Sequence, residues 1–141
     1  MNPKVAARAT AILLAIVVVF NLALLLGAPW GDYTQGGKDP GVLESPGRFG
    51  ALGTAIFFAV LALAMLARAG EGLMRNWRPK VRTVLAWFTT LYLGLNCFLN
   101  VFTGPDAERT IFGPISTLTF VFAVITMSTT RRGYRPIGRW P

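Results

Sequence analysis

Four stretches of this chain are almost purely apolar, and each is about as long as a bilayer crossing requires. They cover residues of about 5–28, 49–68, 81–103 and 110–130. A helix rising 1.5 Å per residue needs roughly 20 residues to cross about 30 Å of hydrocarbon. Their interiors carry no Asp, Glu, Lys or Arg from Ala9 to Ala28, from Phe49 to Ala67, from Thr83 to Thr103 and from Thr110 to Thr130. Backbone polar groups must be satisfied within the segment in lipid, which makes helices the default. A transmembrane barrel would need alternating strands, and the run Ile12–Phe20 does not alternate. The pattern predicts an all-α membrane protein, a four-transmembrane-helix bundle running up-down-up-down, as one integral membrane domain over residues 1–141. Residues 29–48 form a loop at one end, and 131–141 a basic tail at the other. Lys4 and Arg8 ahead of an apolar run also suit a secretory signal. The run is longer than a signal core of roughly 7–15 residues, and no small-x-small site precedes Trp30, so it reads as a retained span.

Charge sorts by side. Lys4 and Arg8 precede the first span. Arg68, Arg75, Arg78, Lys80 and Arg82 surround the second connection, and Arg131, Arg132, Arg135 and Arg139 follow the fourth span. These are eleven of the fourteen basic residues. The opposite side holds Lys38, Arg48 and Arg109 together with Asp32, Asp39, Glu44, Asp106 and Glu108. Lys and Arg are retained on the cytoplasmic face. Both termini are therefore expected inside, in a multi-pass protein of the cytoplasmic (inner) membrane, with the 29–48 loop and the Gly104–Arg109 turn outside.

The net charge of +8 and a pI near 10.9 would suit nucleic-acid binding in a soluble chain. Here the basic residues flank helices, where topology requires them. They point to anionic lipid at the cytoplasmic face, with Arg75, Arg78, Lys80, Arg131, Arg132 and Arg135 as anchors, and to no nucleic acid. Tyr134 and Trp140 in the tail, Trp77 inside, and Trp30 and Tyr33 outside suit headgroup depth. A partner docking on the tail is the alternative.

Composition removes further chemistry. There is no histidine and one cysteine, Cys97. No imidazole base, His-ligated metal, intrachain disulfide or two-cysteine redox motif is possible. No cofactor, metal or catalytic set is expected, and Cys97, without a basic neighbour, reads as inert packing. Proton-coupled antiport of the kind driven by a membrane-embedded glutamate loses its support, because no span carries one.

The polar residues inside the spans are amides, hydroxyls and glycines. Asn21 and Asn96 fall at similar depth towards the outer face, and Asn100 shares the Asn96 face at spacing i+4. Tyr92 and Thr103 extend that stripe. Thr54, with Gly50 and Gly53, enters span two from outside; Thr117, with Gly113, Pro114, Ser116 and Thr119, enters span four. Two readings stand. Asn, Thr and Gly can be glue between membrane helices, at roughly 0.6–2 kcal/mol per contact. Alternatively Asn21, Asn96, Asn100, Thr54 and Thr117 line a pocket open to the outside, capped by the outer loops.

The first outer loop carries Gly36-Gly37 and Pro40-Gly41, which are turn formers, and its length suits a compact lid. Its functional candidates are Trp30 and Asp32, joined by Glu108 and Arg109 of the second turn. Asp106 is placed to cap helix four, with Glu108 favourable in its first turn, and Arg109 is expected to pair with an acid of the first loop. The two halves also echo each other. Phe49-Gly50 leads to Thr54 and Phe57, and Phe112-Gly113 leads to Thr117 and Phe120 at the same spacing, which would make Asn21 and Asn96 symmetry mates.

Leu99-Asn100, Thr103, Glu108-Arg109, Phe112 and Pro114, together with Gly27-Ala28-Pro29, Gly36-Gly37 and Pro40-Gly41, resemble an uncharacterised family of small bacterial four-transmembrane-helix proteins. Their helix-three/helix-four junction reads approximately Leu-Asn-x-x-Ser-x-Ser-x-x-Glu-Arg-x-x-Trp-x-Pro. Thr103, Pro105 and Phe112 stand where that junction has Ser, Ser and Trp. The resemblance implies a shared topology and outer surface, and no activity.

Three functions fit. The first is a non-enzymatic accessory bundle that binds lipid, a protein partner or its own copies as a homo-oligomer. The second is a small oligomeric transporter or channel with an outward-facing polar pocket, which needs a path to the inner side near Thr10, Thr126 or Ser128. The third is an outer-face enzyme on a lipid-linked substrate, which needs two of Asp32, Asp39, Glu44, Asp106 and Glu108 to converge.

Overall fold

A computed structural model describes residues 1–132. Four long helices make up most of it: α1 (Pro3–Leu25), α2 (Ser45–Arg68), α3 (Pro79–Phe102) and α4 (Asp106–Arg132). Each is long and apolar enough to cross a membrane. No strand occurs among the described residues. Apolar side chains such as Ile12, Val19, Phe88, Leu91 and Phe102 cover the bundle surface, as lipid requires and water would not tolerate.

All four helices begin earlier than the hydropathy pattern predicts, and in three of them proline sets the start. Pro3, Pro46 and Pro79 occupy first-turn positions, where a missing N–H and a fixed φ fit the helix. The Asn2 side chain accepts the Lys4 N–H at 2.9 Å and caps α1. Glycines close α1 and α2: Gly27 has φ +99° and Gly70 φ +80°, the left-handed geometry that glycine adopts without a Cβ penalty. The first loop keeps almost its expected length but shifts towards the N-terminus, because α1 ends at Leu25 and α2 starts at Ser45. Asp106 corrects one expectation. It sits inside the first turn of α4 instead of capping it, and its side chain is 98% exposed.

The helices pack as a ring: α1 lies against α2 and α4, and α3 against α4 and, more thinly, α2. Leu14, Phe58, Leu61, Met65, Ala86, Leu93, Ala123 and Met127 form the main core. Buried Thr10, Thr89, Thr90 and Thr126 lie in or beside it, each donating to the carbonyl four residues back in its own helix at 2.8–3.0 Å. Such back-bonding satisfies a hydroxyl without an interhelical partner.

Each end of the bundle is tied. At one end Arg8 makes a two-pronged pair with Glu71 in the α2–α3 connection, Nη2 to Oε1 at 2.7 Å and Nε to Oε2 at 2.9 Å. Lys4 stands 3.9 Å away. The Arg8 guanidinium holds the Glu71 carboxyl below its usual range; burial opposes the shift, and the charges of Arg8 and Lys4 add to it. Arg82 donates to the Ala67 carbonyl at 3.2 Å and so satisfies the end of α2. At the opposite end the α1–α2 loop folds over the helices as a lid, fixed to the α3–α4 turn by Glu108, which accepts the Gly36 N–H at 3.2 Å.

Candidate functional site

Beneath the lid is a cavity of about 220 Å³. All four helices and the lid contribute to its lining. Its floor is apolar, with Leu14, Val17, Phe58, Leu93 and Ile115. Its upper wall carries Asn21, Thr54, Asn96 and Asn100, while Tyr92, Ser116 and Thr119 lie at or below the level of Leu93 and Ile115. Its roof is Tyr33, Thr34, Gln35 and Glu108. From Leu14 to Asn21 the wall of α1 rises about 10 Å, changing from hydrocarbon to amide over that height.

The helical repeat explains why these residues meet. Residues at i, i+3, i+4 and i+7 share a face. On α1 that stripe is Leu14, Val17, Phe20 and Asn21; on α3 it is Tyr92, Leu93, Asn96 and Asn100; on α4 it is Glu108, Phe112, Ile115, Ser116 and Thr119. Four of the five residues expected in a pocket are there: Asn21, Asn96, Asn100 and Thr54. Thr117 is the exception. It belongs to the next stripe of α4, with Arg109 and Gly113, where it lines a shallow apolar groove with Val101, Pro114 and Leu118. Its hydroxyl donates to the Gly113 carbonyl at 2.8 Å and lies 3.4 Å from Cys97 Sγ.

The hydrogen bonds separate the two readings of the polar cluster. Asn21 is 5% exposed, and its Nδ2 donates to the Val17 carbonyl of its own helix at 2.9 Å. Asn100 Nδ2 donates to Asn96 Oδ1, again within one helix, at 3.2 Å. Thr54, Ser116 and Thr119 donate to Gly50, Gly113 and Ile115 of their own helices at 2.6–3.0 Å. Among the described residues none of these side chains bridges two helices. Asn21 Oδ1, the second edges of the Asn96–Asn100 pair and the Tyr92 hydroxyl have no partner there. These edges are open to the cavity and not sealed in the core, so the space can offer them water or a ligand as partner.

The lid is held by backbone demands. Gly31 donates to the Gly41 carbonyl at 2.8 Å, and a Cβ on Gly31 would lie 1.9 Å from the Asp39 carbonyl oxygen. Only glycine allows that closure. Gln35, Gly36 and Gly37 run consecutively at φ of +53°, +73° and +65°. The left-handed Gln35, unusual for a residue with a side chain, donates through Nε2 to the Gly47 carbonyl at 3.0 Å.

The outer-loop candidates divide. Glu108 is half-buried on the cavity wall. Asp32 turns back into the loop and accepts the Gly41 N–H at 3.2 Å. Trp30 stacks on Phe20 with centroids 5.8 Å apart, which tethers the lid from outside the cavity. Arg109 corrects another expectation: it pairs with Asp106 of its own turn at 3.6 Å and donates to the Gly104 carbonyl at 2.9 Å. It reaches no acid of the first loop, because its stripe of α4 faces away from the lid. Among the described residues no three His, Cys, Asp or Glu side chains form a metal-binding group. The suggested internal repeat is not reproduced in environment: Phe112 lines the cavity, whereas its counterpart Phe49 is 73% exposed. Arg75, Arg78 and Lys80 are exposed around the α2–α3 connection. Tyr134, Arg135, Arg139 and Trp140 lie outside the described residues, as do the side chains of Arg131 and Arg132.

No sequence signal marks Tyr33, Thr34 and Gln35 as lining residues, and only the lid's fold brings them in. Leu14, Glu108, Phe112 and Ile115 follow from the 3.6-residue stripe alone. Compared with protein-family models, curated proteins and solved structures, the chain matches none.

Proposed function

We propose that this chain is a multi-pass protein of the cytoplasmic membrane whose lidded half faces outward and binds a small ligand without transforming it. The positive-inside distribution supports up-down-up-down topology with both termini in the cytoplasm. The ties from Arg8 to Glu71 and from Gly36 to Glu108 join the chain segments that this topology would bring together. Arg75, Arg78 and Lys80 then meet the anionic inner leaflet. The outward lid agrees with the outer surface implied by the resemblance to small bacterial four-helix proteins.

One observation carries the binding role: amide and phenol edges without partners, facing a cavity under a glycine-shaped lid. Glue would have joined helices to each other. An enzyme is less well supported, since Asp32, Asp106 and Glu108 are each engaged with a different partner, Gly41, Arg109 and Gly36. A transport path is also less well supported. Below Leu14, Phe58 and Thr119 the core closes with Met65, Ala86, Ala123 and Met127, and Thr10 and Thr126 are fully buried.

The test is purification of the full chain from its own membrane in mild detergent, with mass spectrometry of everything that comes with it. One small molecule or lipid should be enriched at near-stoichiometric level, and Asn96→Leu should release it while the unfolding midpoint is kept. A stoichiometric partner protein with nothing in the cavity would overturn this reading in favour of an accessory subunit.

A further inference from the structure

The cavity also has a sign. Among the described residues its ionisable lining groups are Glu108, Tyr33 and Tyr92, and no Lys or Arg reaches it. Arg109, the neighbouring cation, is turned away and engaged by Asp106 and the Gly104 carbonyl. Glu108 commits one oxygen, Oε2, to the Gly36 N–H. Its Oε1 has no partner among the described residues. A half-buried anion in the roof of a cavity that no cation reaches attracts a cation and repels other anions.

The hydroxyls add a second constraint. Thr54, Ser116 and Thr119 have each given their proton to a carbonyl of their own helix. What they can offer the cavity is lone pairs. Asn21, with one N–H of Nδ2 given to Val17, keeps its carbonyl oxygen and a second N–H. The Asn96–Asn100 pair uses one N–H and leaves three N–H donors together with the Asn100 oxygen. The wall therefore offers both amide donors and oxygen acceptors, and the sign of the cavity comes from Glu108 and the ring faces. Aromatic rings add their negative faces: Phe20, Phe58, Tyr92 and Phe112 all line the space, and such faces attract ammonium groups.

From these features we infer that the cavity takes a small amphiphilic ammonium ion, a protonated amine on an apolar body. This rests on the ligand-binding reading above. The N–H donors of the head would meet Glu108 and the free oxygens of the wall, and the body would sit on Leu14, Val17, Leu93 and Ile115. An apolar cavity of about 150 Å³ accommodates benzene, so about 220 Å³ suits a body of roughly ten non-hydrogen atoms.

Four probes of one size separate charge from donor capacity: 2-phenylethylammonium, 2-phenylethanol, phenylacetate and phenyltrimethylammonium. Each is titrated calorimetrically into the full chain in nonionic detergent. The expected order is 2-phenylethylammonium tightest, the donor-free cation next, the alcohol about tenfold or more below the amine, and phenylacetate without saturable binding. Glu108→Gln, which keeps an oxygen for the Gly36 N–H, should erase the preference of amine over alcohol. Glu108→Asp should restore most of it. Phenylacetate or the alcohol binding as tightly as the amine, or an unchanged preference in Glu108→Gln, would overturn the ammonium assignment. If no probe binds but a native molecule co-purifies and leaves with Asn96→Leu, the ammonium class falls and the pocket stands. If nothing binds and nothing co-purifies, both fall.

Discussion

The two halves of the bundle are built from the same four helices and handle polar groups in opposite ways. In the Glu71 half every buried threonine is satisfied within its own helix and the core is closed, while the rim carries the two-pronged Arg8–Glu71 pair and Arg82, whose Nε is buried without a hydrogen bond among the described residues. In the lid half the hydroxyls are satisfied in the same manner, but amides and a phenol are added that find no protein partner, and the helices stand apart around a cavity. Threonine on a membrane helix is cheap because the i−4 carbonyl is always within reach. Asparagine has more hydrogen-bonding capacity than its own helix can use. The difference between the halves is thus a difference between polar residues that need nothing and polar residues that need something.

The largest effect should come from adding the same volume to each half. Ala123 is fully buried in the closed core, and Ser116 is 5% exposed on the cavity wall. Ala123→Leu should cost about 1–3 kcal/mol through overpacking. Ser116→Leu has empty space to enter and should cost well under that. Equilibrium unfolding of both variants in mixed micelles checks the pair. Equal costs would mean that the lid half is as tightly packed as the other.

A smaller effect concerns the tie at the other end. Glu71 has its carboxyl held below the ordinary range by Arg8. A depressed carboxyl contributes stability that is fully present above its unfolded value and lost as pH falls through the folded one. Wild type should therefore lose unfolding midpoint below about pH 4.5, the ordinary value for this group. Glu71→Gln should start lower at neutral pH and fall less over the same acid range. The contact is solvent-accessible, so added salt should shrink the difference. A parallel fall in both proteins would show that Arg8 and Glu71 contribute nothing to the fold.

Much of this arrangement is legible in the order of residues alone. Charge-free runs of bilayer length locate the helices, since lipid leaves the backbone no other choice. Proline then moves three starts, a local steric effect that hydropathy does not register. The Asn21, Asn96, Asn100 and Thr54 cluster is legible because equal depth on neighbouring helices follows from the rise per residue. Thr117 is misplaced by the same reasoning because α4 carries Ser116, Thr117 and Thr119 on more than one face, so polarity alone does not phase that helix. Taking Glu108, Phe112, Ser116 and Thr119 as one stripe phases it, and sends Arg109 the other way. The lid residues are not legible at all. Their position depends on three consecutive left-handed residues, on the Gly31 closure against Asp39 and Gly41, and on the tie from Gly36 to Glu108, none of which hydropathy registers.

The smallest expected effect distinguishes most between the two readings of the amides. Asn21→Leu removes a buried amide whose one bond goes to its own helix and whose oxygen faces the cavity unpartnered. Leucine fits an α-helix at least as well, presents no unpaired oxygen and adds apolar contact at the top of Val17. If the amide serves a ligand, the empty protein loses nothing, and its unfolding free energy should change by less than about 0.5 kcal/mol or rise. If it holds helices together, the same substitution should cost about 0.6–2 kcal/mol. The measurement is the unfolding equilibrium of ligand-stripped wild type and Asn21→Leu side by side. A cost in the glue range would assign the amide to packing and remove the strongest polar group from the cavity's case. A neutral or stabilising result would leave Asn21 as a residue whose presence the fold alone does not explain.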